Sequence, residues 1–213
     1  MRYWATVAAI GLAFIAGAVT YRVAIRVIPP VSARNIAPSQ PAADYISERR
    51  EFFKISQPAR ADIVMIGDSI IERGLWSEWT GCDIVNRGVG SDTAGGSLAR
   101  LDEDALSLKP KKVYFGAGLN DINRGRNVDD TARDIRAALE RIEASGAKAI
   151  WIVPVPVSEF FLNGWSATYL KQLPEKVRWL HRIEVTNAKL SADGIHLTAP
   201  VYKEIASKIV CGE

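Results

Sequence analysis

Histidine, cysteine and methionine are scarce in this chain of 213 residues, with two of each. Two histidines leave two places for imidazole chemistry, and two cysteines allow at most one disulfide. Internal repeats and low-complexity tracts are absent. That excludes a repeat array and leaves one globular domain with a short appendage, large enough to bury a core. An excess of one charge sign is missing too, since 27 Lys and Arg stand against 24 Asp and Glu for a net charge of +3. The basic residues are scattered, not gathered into a stripe with interleaved aromatics, which does not fit a nucleic-acid binder.

Charge is wholly absent from residues 3 to 21, YWATVAAIGLAFIAGAVTY. At about 1.5 Å per residue such a helix spans roughly a bilayer core, so residues 1–28 read as a membrane anchor or a signal segment. The leader is only Met1-Arg2, and the apolar run exceeds the signal-peptide core of about 7–15 residues, which favours an uncleaved anchor. Ala16-Gly17-Ala18 has the small-x-small form of a cleavage site; cleavage there, at about residue 18, would give a secreted protein. Pro29, Pro30, Pro38 and Pro41 mark residues 29–43 as a stiff linker, and the globular domain is expected over 44–213. Arg22, Arg26 and Arg34 pull their side of the anchor toward the cytoplasm. The cysteines pull weakly the other way, and an extracytoplasmic domain, periplasmic or extracellular, is the expectation.

From Asp62 onward strand and helix patterns alternate. Strands are predicted at Asp62–Ile66, Asp83–Val85, Lys112–Phe115, Ala149–Val153 and Ile183–Val185, and helices at Gly96–Leu106, Asp129–Ser145 and from Pro200. In the longest helix Val128, Ala132, Ile135, Leu139 and Ile142 share one face, and Gly146 supplies the stop. The pattern predicts an α/β fold, a three-layer flavodoxin-like sandwich on a five-stranded parallel sheet, preceded by one transmembrane helix. Right-handed crossovers gather every strand-to-helix loop at one edge. Cys82 and Cys211 would then lie at the opposite edge, either paired or apart.

The gathered loops carry GDS at Gly67-Asp68-Ser69, NRGVGSDT at Asn86 to Thr93, GLND at Gly118 to Asp121, and DGIH at Asp193 to His196. Singly each has a bland reading: Asp-Ser caps a helix, Gly-rich loops turn, and a lone His is usually structural. The glycines also miss the dinucleotide fingerprint, because Thr93 and Asp121 stand where a third glycine is needed. Together they bring a hydroxyl, backbone donors, a carboxamide and an Asp-x-x-His pair to one edge, the parts of an acyl-transfer site.

In order and spacing these four segments resemble blocks I, II, III and V of the SGNH (GDSL-type) hydrolases. The likeness is closer still to the small bacterial enzymes related to platelet-activating-factor acetylhydrolase, and it covers Asp62 to Ile209. The resemblance implies a serine esterase working without cofactor or metal, with Ser69 as nucleophile, His196 as base and Asp193 orienting the imidazole. His181, in the helix-like segment EKVRWLHRIE, lacks an Asp at that spacing. The implied oxyanion hole uses the Ser69 N–H, a backbone N–H of the second block and the Asn120 amide. Here the chain departs from the pattern, with Ser91 at the usual glycine position and Gly90 one residue earlier; Pro200 also replaces a common glycine. Phe160, Phe161 and Trp165 are expected near the same edge as a substrate wall. The implied substrates are ester-containing small molecules, lipids or acylated glycans. Two other readings stay open, a catalytically silent SGNH-like binding module and a flavodoxin-like nucleotide binder.

Overall fold

The computed structural model describes residues 42–155, 165–185 and 189–212. The anchor or signal segment expected at 1–28, the linker as far as residue 41, and Phe160 and Phe161 lie outside them. Among the described residues no helix is long and apolar enough to cross a membrane.

The strands are β1 (Ile63–Gly67), β2 (Ile84–Gly88), β3 (Lys112–Gly116), β4 (Lys148–Ile152) and β5 (Arg182–Ile183). All neighbours pair in parallel, in the order β2-β1-β3-β4-β5. This is the flavodoxin-like order, in which direction of growth reverses beside β1 and opens a crevice at the carboxyl ends of the strands. The helices are α1 (Ala42–Ile55), α2 (Ser69–Arg73), α3 (Trp76–Thr80), α4 (Ala94–Ala99), α5 (Leu101–Asp104), α6 (Leu119–Asn123), α7 (Val128–Ala144), α8 (Trp165–Val177) and α9 (Ala199–Ser207).

Strand residues alternate between the two faces, which is why the apolar runs generate two cores. Val64, Ile66, Val113, Phe115, Ala149 and Trp151 pack with Ala132, Ile135, Leu139 and Ile142 of α7 and Leu173 of α8. Ile63, Met65, Tyr114 and Ile150 pack on the other face with Trp76 of α3 and Val201, Tyr202 and Ile205 of α9. Each fully buried Val, Leu, Ile or Phe contributes about 1.5–3 kcal/mol of transfer free energy, so the sheet is a stiff platform for whatever stands at its edge.

Three strands end in glycine at one level: Gly67 is in register with Gly88 on one side and Gly116 on the other. A Cβ at Gly67 would lie 1.9 Å from the Gly116 carbonyl oxygen, and one at Gly88 would lie 2.1 Å from the Glu72 nitrogen. The glycines therefore let α2 lie directly against the sheet rim.

The structure corrects the sequence reading in four places. The helix expected over Gly96–Leu106 is broken into α4, α5 and a 3-10 turn at Leu106–Leu108, because Arg100 leaves helical geometry and turns its side chain into the interior. The EKVRWLHRIE segment is not a helix around His181: α8 stops at Val177, Arg178 has φ +51°, and the His181 carbonyl accepts a sheet-type bond from the Trp151 N–H (2.9 Å). β5 falls one residue earlier than expected and is shorter, and α1 was not anticipated as a helix. Cys82, ahead of β2, and Cys211, beyond α9, form a disulfide with Cα atoms 5.2 Å apart. Pro200 stands in the first turn of α9, where its missing N–H costs no bond.

Candidate active site

Ser69 is the first residue of α2, and the turn before it is pinned on both sides. Asp68 N–H donates to the Gly116 carbonyl (3.0 Å), and Val89 N–H donates to the Gly67 carbonyl (2.9 Å). The Asp68 carboxyl caps α2 by accepting from the Ile70 N–H (2.9 Å). Its side chain is thereby spent inward, and burial, ahead of the nearby Asp92 and Asp121 charges, weakens it as an acid and pushes its pKa up to about 7. Ser69 is left at the rim with its hydroxyl facing the last loop.

That loop is closed by its own short ladder. Leu190 bridges Leu197, Ser191 N–H donates to the His196 carbonyl (2.7 Å) and Thr198 N–H donates to the Lys189 carbonyl (3.0 Å). Inside it Asp193 Oδ1 accepts from the Ser191 hydroxyl (2.6 Å) and from the N–H groups of Ile195 (3.0 Å) and His196 (2.9 Å). Asp193 Oδ2 meets His196 Nδ1 at 2.7 Å, with an Arg73 guanidinium nitrogen 3.4 Å away. The Ser191 hydroxyl, then these N–H donors and the imidazole, hold the Asp193 carboxyl far below the usual carboxylate range although it is solvent-exposed. His196 Nε2 completes the chain 2.9 Å from Ser69 Oγ. A carboxylate facing Nδ1 requires the proton there, so Nε2 presents a lone pair to the Ser69 hydroxyl.

Opposite the imidazole lies the loop after β2. Ser91 adopts the left-handed conformation at φ +64°, tolerating the geometry for which the family pattern uses glycine. Its carbonyl accepts from Arg124 (2.8 Å), and the next carbonyl, that of Asp92, accepts from the Asn120 amide (2.9 Å). An amide has two N–H donors, so one fixes the side chain and the other stays available. Among the described residues, the backbone N–H groups of Ser69, Gly90 and Ser91 donate to no protein acceptor.

Ser69, Asp193, His196, Gly90, Ser91 and Asn120 thus gather at one sheet edge. Phe160 and Phe161 lie outside the described residues, and of Trp165 only its place at the start of α8 is described. His181 is at the other edge, beside Lys112 and Lys148, the first residues of β3 and β4. The sequence reading missed the residues that hold these loops in place. Arg100, itself buried, donates to Asp92 (2.8 Å), Asp104 (3.1 Å) and the carbonyls of Arg87 (2.9 Å) and Gly67 (3.0 Å). Asp121 accepts from the Ala94 N–H and from Arg126, both at 2.8 Å. The available signal was an arginine set between Leu98 and Leu101 with Asp104 four residues on.

Residues 65–203 match the model of the GDSL-like lipase/acylhydrolase family, and the chain belongs to it. It is an ester hydrolase by that membership. Esterase TesA of Pseudomonas aeruginosa is 24% identical over an alignment of 163 residues that covers 66% of this chain and 81% of that protein. Among solved structures, a Streptococcus pneumonia protein provisionally assigned as a platelet activating factor superposes with TM-score 0.62 at 20% identity, covering 78% of this chain and 89% of its own. A catalytic mutant of an acetylxylan esterase from Geobacillus stearothermophilus gives TM-score 0.54 at 17% identity, with 70% and 91% covered. At these identities the structural likenesses establish the fold.

Asp68 generates a prediction on stability. A raised folded-state value means that the native state holds a proton the unfolded chain would release, so stability falls as pH rises from about 4, the unfolded value, to about 7. Asp68→Asn keeps an oxygen to cap Ile70 and removes the ionisation. Thermal midpoints of this variant are expected to lose the wild-type decline across that window, and an unchanged decline would assign it to other groups.

Proposed function

We propose that Ser69, His196 and Asp193 form a catalytic triad that hydrolyses short-chain carboxylic esters, with an O-acetyl group on a carbohydrate or lipid as the preferred substrate class. The carrying observation is the unbroken chain from Asp193 through His196 to Ser69 Oγ, with contacts of 2.7 and 2.9 Å. His196 Nε2 takes the serine proton as Oγ attacks the ester carbonyl, Asp193 stabilises the imidazolium, and the tetrahedral oxyanion forms. The imidazolium then protonates the leaving alcohol, and a water activated by the same ring releases the acid and frees Ser69. The Ser69 N–H, a backbone N–H of the Gly90–Ser91 turn and the free Asn120 N–H are the oxyanion donors in this reading.

Two observations favour a small acyl group. The acetylxylan esterase shares the fold, and a cavity of about 20 Å³ lies between residues flanking the site, among them Ile70, Leu119, Ile195 and Leu197. That volume holds little more than one water-sized group. The test uses a fluorophosphonate and a series of esters from acetate to octanoate. Wild type is expected to label and to favour acetate; Ser69→Ala and His196→Ala lose turnover, and His181→Ala keeps it. A folded wild type that does not label would favour the silent binding module instead. Turnover should fall on acidification in a one-proton limb, because only a neutral imidazole accepts the serine proton and the depressed Asp193 remains ionised there. A flat profile down to about pH 4 would contradict an imidazole base.

Asn120→Ala is expected to lower kcat by about 10²–10³ with KM changed much less, the loss measured for removal of one oxyanion donor elsewhere. A lowered thermal midpoint with intact kcat would reduce Asn120 to a loop support through its bond to Asp92.

The reading includes residues 3–21 as an uncleaved anchor that places the domain outside the cytoplasm. The Cys82–Cys211 pair supports an oxidising compartment. An alkaline phosphatase fusion after Glu213 should be active; an inactive fusion beside a working cytoplasmic reporter would reverse the orientation.

A further inference from the structure

Helix α1 ends before the family match begins at residue 65, yet its first turn reaches the active-site rim. The Tyr45 hydroxyl donates to the Glu72 carboxylate, and Arg49 Nε lies 3.4 Å from the same oxygen. Glu72 stands on α2, three residues after Ser69. Both side chains flank Gly90: a Cβ built there would meet Glu72 Oε2 at 3.0 Å and Tyr45 Cε1 at 3.2 Å. Gly90 directly precedes Ser91 with its left-handed backbone. On its far side the turn is held by Arg124 and Asn120 through the Ser91 and Asp92 carbonyls. Two groups therefore grip the turn by its oxygens, and the aromatic ring and carboxylate close over its α-carbon.

The helix can carry such a role because it is fixed independently. Arg50 donates to Asp104 (3.2 Å), Phe53 is buried, and the Arg87 guanidinium lies 4.7 Å from the Phe53 ring centre. These contacts leave Tyr45 as the part of α1 that faces the turn after β2.

We propose that Tyr45 is a positioning residue for the oxyanion loop: its ring, carried by the fixed helix α1, confines the Gly90–Ser91 turn to the conformation that aims the backbone N–H groups at the reacting carbonyl. This rests on the esterase reading for its catalytic consequence, but not for its structural one. The active site of this chain is then complete only with a helix that the family-matched region does not contain. Tyr45 touches no reacting atom; it acts through the loop.

The test uses the full chain with Tyr45→Ala and Tyr45→Phe, measuring kcat and KM on an acetyl ester, the thermal midpoint, and hydrogen exchange of a peptide spanning residues 88–92. Tyr45→Ala is expected to lower kcat about tenfold or more, as a misaligned donor should, with KM within about twofold. Exchange in the peptide should quicken while the sheet strands keep their protection. Tyr45→Phe retains the ring over Gly90 and should recover most of the loss in both readouts. Wild-type kcat and exchange in Tyr45→Ala, or an equal loss in Tyr45→Phe, would overturn the role of the ring. A kcat loss that only tracks unfolding, with exchange raised throughout the domain, would overturn it as well. If wild type hydrolyses no ester, the esterase reading fails, and the exchange comparison still decides whether Tyr45 holds the turn.

Discussion

The buried guanidinium of Arg100 is the interaction on which the rest of the site depends. One side chain ties the end of β1 at Gly67, the strand β2 at Arg87, the loop residue Asp92 and the helix residue Asp104. Gly67 leads into the Ser69 turn and Asp92 follows Ser91, so the Ser69 turn and the Gly90–Ser91 turn share one anchor. Removing a partner from a buried, hydrogen-bonded charge pair costs about 3–5 kcal/mol, because the remaining charge is stranded without solvent. The arrangement avoids that cost by satisfying each donor that Arg100 turns inward, and Asp92 is saturated further by the Ser97 hydroxyl (2.7 Å) and the Thr93 N–H (2.9 Å). Geometry at the rim is therefore set from below, by a network that touches no substrate.

What the sequence made legible follows from local rules. β1 and β3 announced themselves because each is an apolar run ended by glycine, and α7 because its period of 3.6 is unbroken from Val128 to Ile142. The four motifs could be placed together because a parallel sheet with right-handed crossovers must bring its loops to one edge, whereas the roles of their residues came from the resemblance to the SGNH hydrolases. What stayed hidden depends on long-range partners. Arg100 breaks its helix to reach Gly67 and Asp92, which no window of neighbouring residues can foresee. The same holds for α1, whose mixed face finds its complement in Glu72, Arg87 and Asp104 only after the sheet has formed. His181 misled because Leu180 and Trp179 prolong an apparent helix that Arg178, in a left-handed conformation, has already ended.

The departure at the second block shows how tertiary structure can carry an unfavourable local choice. A serine with positive φ is strained by roughly 1–2 kcal/mol relative to glycine. Bonds from Arg124 and Asn120 to the two consecutive carbonyls offset that strain, since each would be lost if the turn relaxed. A glycine could reach the same backbone conformation with less need of support, so Ser91 and its surroundings make sense only as a set.

Two carboxylates, Asp68 and Asp193, complete the electrostatic logic, and they are tuned in opposite directions. Asp68 is buried at the cap of α2, where desolvation outweighs its bond from Ile70 and raises it to about 7. Asp193 is exposed, yet three donors on one oxygen and an imidazole on the other hold it ionised. Environments that push neighbouring acids apart divide their tasks. The carboxyl beside Ser69 caps the helix that presents this serine. In the proposed triad the carboxylate beside His196 must stay negative to hold the proton on Nδ1 and to balance the imidazolium. Burial cannot supply that negative charge, whereas a tight loop of N–H donors can, and this is why Asp193 is set three residues from His196 in the loop closed between Leu190 and Leu197.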